Sequence, residues 1–204
     1  VGGSRGLGLK IVQELVAQGA EVIATCRRSN PELDSAGATQ IIPDVEVTSH
    51  ASMTQMASQI VAPLDYVIFN AGYFPEVDDS LDSMQDKEAI MQIDVCALGP
   101  LRCVSALKGS GLLSGAKVAI ITSQAGSTEW RFTQNKDKGG DYGHHMSRAA
   151  CNIGGALMSE ELKASNVPIV MLHPGFNRTD MTAKFSKIWD VEGAVEASVG
   201  AKRV

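Results

Sequence analysis

Residues 2–8 read Gly2-Gly3-Ser4-Arg5-Gly6-Leu7-Gly8, and they run into Leu7, Ile11, Val12, Leu15 and Val16, apolar residues at helical spacing that stop before Gly19. Glycine at positions 2, 6 and 8 removes side chains where a backbone must approach a pyrophosphate. The helix that follows turns its N–H groups and the positive end of its dipole toward such an anion. A glycine-rich turn alone is a weak signal. Followed by a leucine-spaced helix and an apolar run at 21–26, it becomes the phosphate cradle of an α/β nucleotide-binding domain.

Outward from this turn, short apolar runs alternate with longer stretches of helical period. Strands are expected at 21–26, 66–69, 117–122 and 169–172, with a weaker one at 40–42. Helices are expected from 7 to 18, from about 88 to 107 and from about 146 to 162, and 130–140 reads as a loop. The alternation is that of a doubly wound parallel sheet with helices on both faces. A phosphate turn is normally fed by a strand, yet Val1 stands on the lip of the turn. The expectation is therefore one domain over 1–204 whose first strand precedes this sequence, and Lys202-Arg203-Val204 likewise reads as an early end.

Composition narrows the function classes. A net charge of -5 argues against general nucleic-acid binding, which needs a dense Lys/Arg surface. The four cysteines, Cys26, Cys96, Cys103 and Cys151, have neither metal-site nor disulfide-framework spacing, which fits a reducing cytoplasm. No apolar run reaches the roughly 20 residues of a membrane span. At the end of the 21–26 strand, Thr25-Cys26-Arg27-Arg28 offers cations where an NAD-preferring domain places an acid, so Arg27, with Arg5 in the loop, points to NADP(H). The alternative for Arg27 and Arg28 is ordinary solvated surface charge.

The ordered motifs Gly2-x-x-x-Gly6-x-Gly8, Asp44-Val45, Asn70-Ala71-Gly72, 122–127 (TSQAGS), 147–152 (SRAACN) and His173-Pro174-Gly175-x-x-x-Thr179-Asp180-Met181 resemble the short-chain dehydrogenase/reductase family over nearly the whole chain. Within it the chain looks most like the C-factor and sniffer carbonyl-reductase branch. The resemblance implies a Rossmann-type fold and a cofactor site made of Gly2, Ser4, Arg5, Gly6, Leu7, Gly8 and Arg27. It also implies Asp44 and Val45 beside the adenine, Asn70, Ala71 and Gly72 beneath the cofactor, and Pro174, Gly175 and Thr179 at the nicotinamide. It further implies a small carbonyl substrate and a homodimer or homotetramer through the two long central helices.

The family's catalytic set is a serine, a tyrosine, a lysine four residues after it, and an asparagine on the preceding long helix. Here the resemblance places Ser123 at the serine, His144 at the tyrosine, Arg148 at the lysine and Cys96 at the asparagine, with Asp94 as the alternative if that helix shifts register. Tyr142 falls two residues too early. Histidine, with an ordinary pKa near 6.5, can take over proton transfer, whereas Arg148 can still hold ribose hydroxyls and bias a neighbouring histidine toward neutrality. His145, about 100° further round the helix, is expected on the surface. Three readings stay open: an NADP(H)-dependent reductase of a small carbonyl compound, a catalytically silent NADP-binding module, and a non-redox enzyme using the same pocket.

Overall fold

The computed structural model describes residues 1–77, 79–136 and 138–204. Helix α1 (Gly6–Ala17) starts at the glycine turn and buries Leu9, Ile11 and Val12. It ends where Gly19 takes a φ of +83° and Ala20 N–H returns to Leu15 O, a left-handed cap that glycine reaches without Cβ strain. Strand β1 (Ile23–Thr25), shorter than the apolar run predicts, pairs in parallel with β2 (Gln40–Ile42). The short α2 (Pro31–Asp34) lies between them, capped by the Asn30 side chain on Leu33 N–H. After α3 (His50–Ser58), β3 (Tyr66–Phe69) begins a second parallel set with β4 (Lys117–Ile121) and β5 (Ile169–Leu172).

The two sets meet at Val1. Its amino group donates to Ile68 O at 2.6 Å, and its carbonyl accepts from Asn70 and Ala71 N–H. On the other side Gly2 and Gly3 N–H both reach Thr25 O, at 3.0 and 2.9 Å. The spatial order is therefore β2, β1, the extended Val1 position, β3, β4, β5. All of the strands run the same way, so Thr25, Phe69 and Ile121 bring their C-terminal ends to one edge. In open α/β sheets that edge is where ligands bind.

The long central helix is not continuous. Helix α4 (Asp86–Ile93) passes through a π turn at Asp94–Leu98 into α5 (Gly99–Gly109), where the sequence predicts one unbroken helix. The apolar spacing runs through the bulge unbroken, so periodicity does not reveal it; such bulges arise where a side chain or ligand site displaces the ladder. By length and composition Asp86–Gly109 is apolar enough to cross a membrane, contrary to the sequence expectation, but half of its apolar window is buried inside the protein and it packs as a core helix against α7 (Tyr142–Leu162). The segment 130–140, expected as loop, opens inside the short helix α6 (Thr128–Phe132). The chain finishes with two-residue strands β6 (Asn177–Arg178) and β7 (Val195–Glu196), a 3-10 stretch at Asp180–Ile188 and α8 (Ala197–Arg203), which packs on α1. One apolar cluster built around Phe69, Ile120, Met53 and Leu107 fills the space between β3–β5 and the helices, and a smaller one around Leu33 and Ala24 lies under β1.

Candidate active site

A cleft of about 1140 Å³ runs along the C-terminal edge of the sheet. At one end lie Ser4, Arg5, Gly6 and Leu7, with Gly2 beneath them. Gly2 has a φ of +83°, and a Cβ there would stand 2.8 Å from the Ala71 backbone, so the loop can occupy this position only without a side chain. Two side-chain amides hold the loop's carbonyls: Asn70 donates to Gly2 O at 3.0 Å and Asn30 to Ser4 O at 2.8 Å. With those oxygens held from behind, the start of α1 is left facing the cleft, as a pyrophosphate requires. Gly8 faces away from the cleft, against Gly2 O and the Asn70 side chain, and its role is close packing.

Further along the edge, Arg27 and Val45 line the cleft, and Thr25 Oγ1 is buried at its floor with no partner among the described residues. Asp44 is outside the lining. Its backbone is left-handed, with φ +58°, and its carbonyl accepts from Ser52, so it shapes the turn that presents Val45. Ala71 and Gly72 continue the floor, and Pro174, Gly175 and Thr179 close the far wall.

The chemical end is built by β4, α7 and the bulge between α4 and α5. Ser123 follows β4 and caps a 3-10 turn at Gln124–Gly126; its Oγ accepts from Ala125 N–H at 3.1 Å, which leaves its O–H free to donate. His144 and Arg148 lie one turn apart on α7 and face the same cleft. Arg148 is buried at 8% exposure and donates to Ile121 O at 3.4 Å, and its Nε is unpartnered among the described residues. His144 lies edge-on to the Phe74 ring at 4.7 Å, and its buried Nδ1 has no partner among the described residues. Burial, reinforced by Arg148, His145, Lys184 and Arg131, lowers its pKa to about 3. The ring is therefore neutral at physiological pH. The shift runs in the direction expected from Arg148, with burial as the larger cause.

Two other expectations change. Cys96 is withdrawn from the cleft: it is 2% exposed, and its sulfur accepts from Tyr73 N–H at 3.4 Å inside the π turn. Asp94, the alternative, is outside the lining too and pairs with Arg102 at 2.6 Å. His145 is half-buried and lines the cleft rather than the surface, with Nδ1–H donating to Ala125 O at 2.7 Å and Nε2 accepting from Arg131. Both histidines reach the cleft because they occupy the first turn of α7, against the 3-10 turn on one side and Phe74 on the other. Tyr142, which opens α7, is absent from the lining.

Sequence reasoning missed Tyr73, Phe74, Trp130, Arg131, Phe176 and Phe185, which wall the chemical end. They come from four separate loops or short turns, and no spacing within one segment links them.

The family model for short chain dehydrogenases matches residues 1–188. The chain is 34% identical over 188 residues to the 1-hydroxy-2-glutathionyl-2-methyl-3-butene dehydrogenase of Rhodococcus sp. (strain AD45), covering 91% of this chain and 79% of that protein. It is 38% identical over 121 residues to the C-signal protein of Myxococcus xanthus, covering 58% of this chain and 69% of that one. Its fold superposes on the NADPH-bound carbonyl reductase from chicken fatty liver with a TM-score of 0.82 at 24% identity, covering 98% of this chain and 82% of that one. With the glycine cradle, the parallel sheet and 92% of its length matched by the family model, the chain belongs to the short-chain dehydrogenase family.

Proposed function

We propose that the chain is an NADP(H)-dependent oxidoreductase that reduces a small carbonyl compound. The observation that carries this reading is that Ser123, His144 and Arg148 line the same cleft as the glycine loop. The loop, with its carbonyls held from behind and its glycines in place, fits a dinucleotide pyrophosphate, and Arg5 and Arg27 fit the additional phosphate that distinguishes NADP from NAD. The NADPH-bound relative of the same fold supports the cofactor, and the dehydrogenase from Rhodococcus supports the reaction class.

NADPH, when bound, supplies the hydride that the carbonyl carbon accepts. Ser123 Oγ–H and the ring N–H of His144 donate to the carbonyl oxygen and stabilise the negative charge that develops there. A neutral imidazole acts here as a fixed hydrogen-bond donor rather than as an imidazolium acid, so water in the open cleft completes the alcohol by supplying its proton. Burial, with Arg148 second, keeps His144 neutral, and Arg148, one turn along α7 and extended beneath Gly72, offers N–H donors toward the ribose. Phe74 fixes the histidine ring and excludes water from one side of it.

A second reading, an NADP-binding module without turnover, draws on one observation: Cys96 has left the cleft and is engaged with the Tyr73 backbone. The test is titration of NADPH followed by its oxidation across a panel of aldehydes and ketones. Binding with turnover supports the reductase, binding without turnover supports the module, and no binding overturns both.

We further propose that the protein assembles with copies of itself through α4, α5 and α7. Ile90, Ile153 and Leu157 on these helices and Leu98 in the π turn between α4 and α5 are 41–66% exposed. Burying them at a symmetric interface would remove that apolar surface from water.

A further inference from the structure

The reacting end of the cleft is walled by a connected set of cations and rings. Arg131, at the end of the Trp130-Arg131 pair, lies with its guanidinium carbon 5.3 Å from the Trp130 ring centre and donates to Lys138 O at 3.3 Å and to His145 Nε2. The His145 ring stands 5.4 Å from His144, and His144 stands 4.7 Å from Phe74. Beyond Phe74, outside the lining of this cleft, Lys184 Nζ is 4.2 Å from the Phe74 ring centre and 5.0 Å from that of Phe185. Of the acidic side chains in the lining, Glu88 receives the Tyr73 hydroxyl at 2.5 Å and Glu192 lies 3.9 Å from Lys138, whereas Asp141, beside His145, and Asp180 have no ion pair among the described residues. Among the described residues no ion pair engages Arg131 or Arg148.

A guanidinium fixed by two contacts keeps further N–H groups in a planar fork, the geometry that matches a carboxylate bidentately. The rings of Trp130, Phe74 and Phe185, which line the same cleft as this fork and His144, fit an apolar body. On the reductase reading, we infer that the substrate is an oxo acid: its carbonyl at Ser123 and His144, an apolar or aromatic body against these rings, and a carboxylate at its far end bound by Arg131. The electrostatics agree, because an anion in this region offsets the concentration of positive charge around His144.

Two measurements on wild type and on Arg131→Gln and Arg131→Lys separate this inference from the reaction itself. The first is calorimetric titration of para-toluate and of neutral para-toluamide into the protein saturated with NADPH. We expect para-toluate to bind at least about 10-fold more tightly than the amide, Arg131→Gln to erase that preference and Arg131→Lys to retain part of it. The second compares kcat/KM for para-carboxybenzaldehyde with that for its methyl ester, with the same ordering expected. Equal binding of acid and amide by the wild type, or a preference that survives Arg131→Gln, overturns the inference whether or not either aldehyde is reduced. A carboxylate preference that depends on Arg131 but is accompanied by no NADPH oxidation supports the anion site and overturns the reductase reading.

Discussion

The two ends of the cleft are built on opposite principles. At the glycine-loop end the backbone of the loop is held by the protein itself: Asn70 and Asn30 hold its carbonyls and Gly2 and Gly3 N–H share Thr25 O, while Thr25 Oγ1 is buried without a partner among the described residues. At the α7 end, His144 Nδ1 and Arg148 Nε are buried without partners among the described residues, and positive groups crowd one histidine. Buried polar groups left unsatisfied cost free energy, of order 1–3 kcal/mol each, so two such atoms on one face of α7, both facing the cleft, are suited to be completed by a ligand. The satisfied end gives shape and the unsatisfied end gives chemistry.

The strongest way to break the comparison is at the satisfied end. Gly2→Val introduces a Cβ 2.8 Å from the Ala71 backbone at a φ of +83°, and we expect NADPH binding to be lost, as read by fluorescence titration, with a melting curve to report the accompanying loss of stability. Next comes Ser123→Ala, which removes one donor to the developing oxyanion. The expected loss is about 10²-fold in kcat with the affinity for NADPH unchanged. Arg27→Glu sharpens cofactor choice: NADPH affinity falls about 10- to 100-fold while NADH affinity changes little, measured by titration of both nucleotides.

A further effect concerns acid stability. His144 has a folded pKa of about 3 against an ordinary 6.5, so between these values the unfolded chain binds the proton that the folded chain refuses. Its contribution is present in full above about pH 6.5 and is lost as the pH falls toward 3. His144→Phe is expected to flatten this part of the stability curve, measured by denaturant melts at successive pH values.

How much of this is legible in the sequence differs between the two ends for the same reason. The cradle is a contiguous stretch, and its glycines, its helix and the strand ends at Asn70 and Thr25 carry local signals of turn and period. That β1–β5 form a parallel sheet follows from alternation, whereas their spatial order does not. The chemical end is assembled from distant segments. Cys96 is withdrawn by a π turn that leaves the apolar spacing of 86–109 intact, and the position of His145 depends on the 3-10 turn at Gln124–Gly126, which no helical wheel of α7 contains. The neutrality of His144 is legible only in part: Arg148 four residues later predicts its direction, but burial is its largest cause and exists only in the folded chain.

The central claim is that His144 acts as a neutral hydrogen-bond donor in a working reductase. The most direct test is the rate of NADPH oxidation with a reducible aldehyde at saturating cofactor, followed across pH 5–9 for wild type and His144→Ala. We predict a wild-type profile with no inflection near pH 6.5 from this histidine, and a loss of about 10²- to 10³-fold in His144→Ala with unchanged affinity for NADPH. A wild-type rate that falls with an apparent pKa near 6.5 and loses that inflection in His144→Ala, or equal rates in the two proteins, would contradict it.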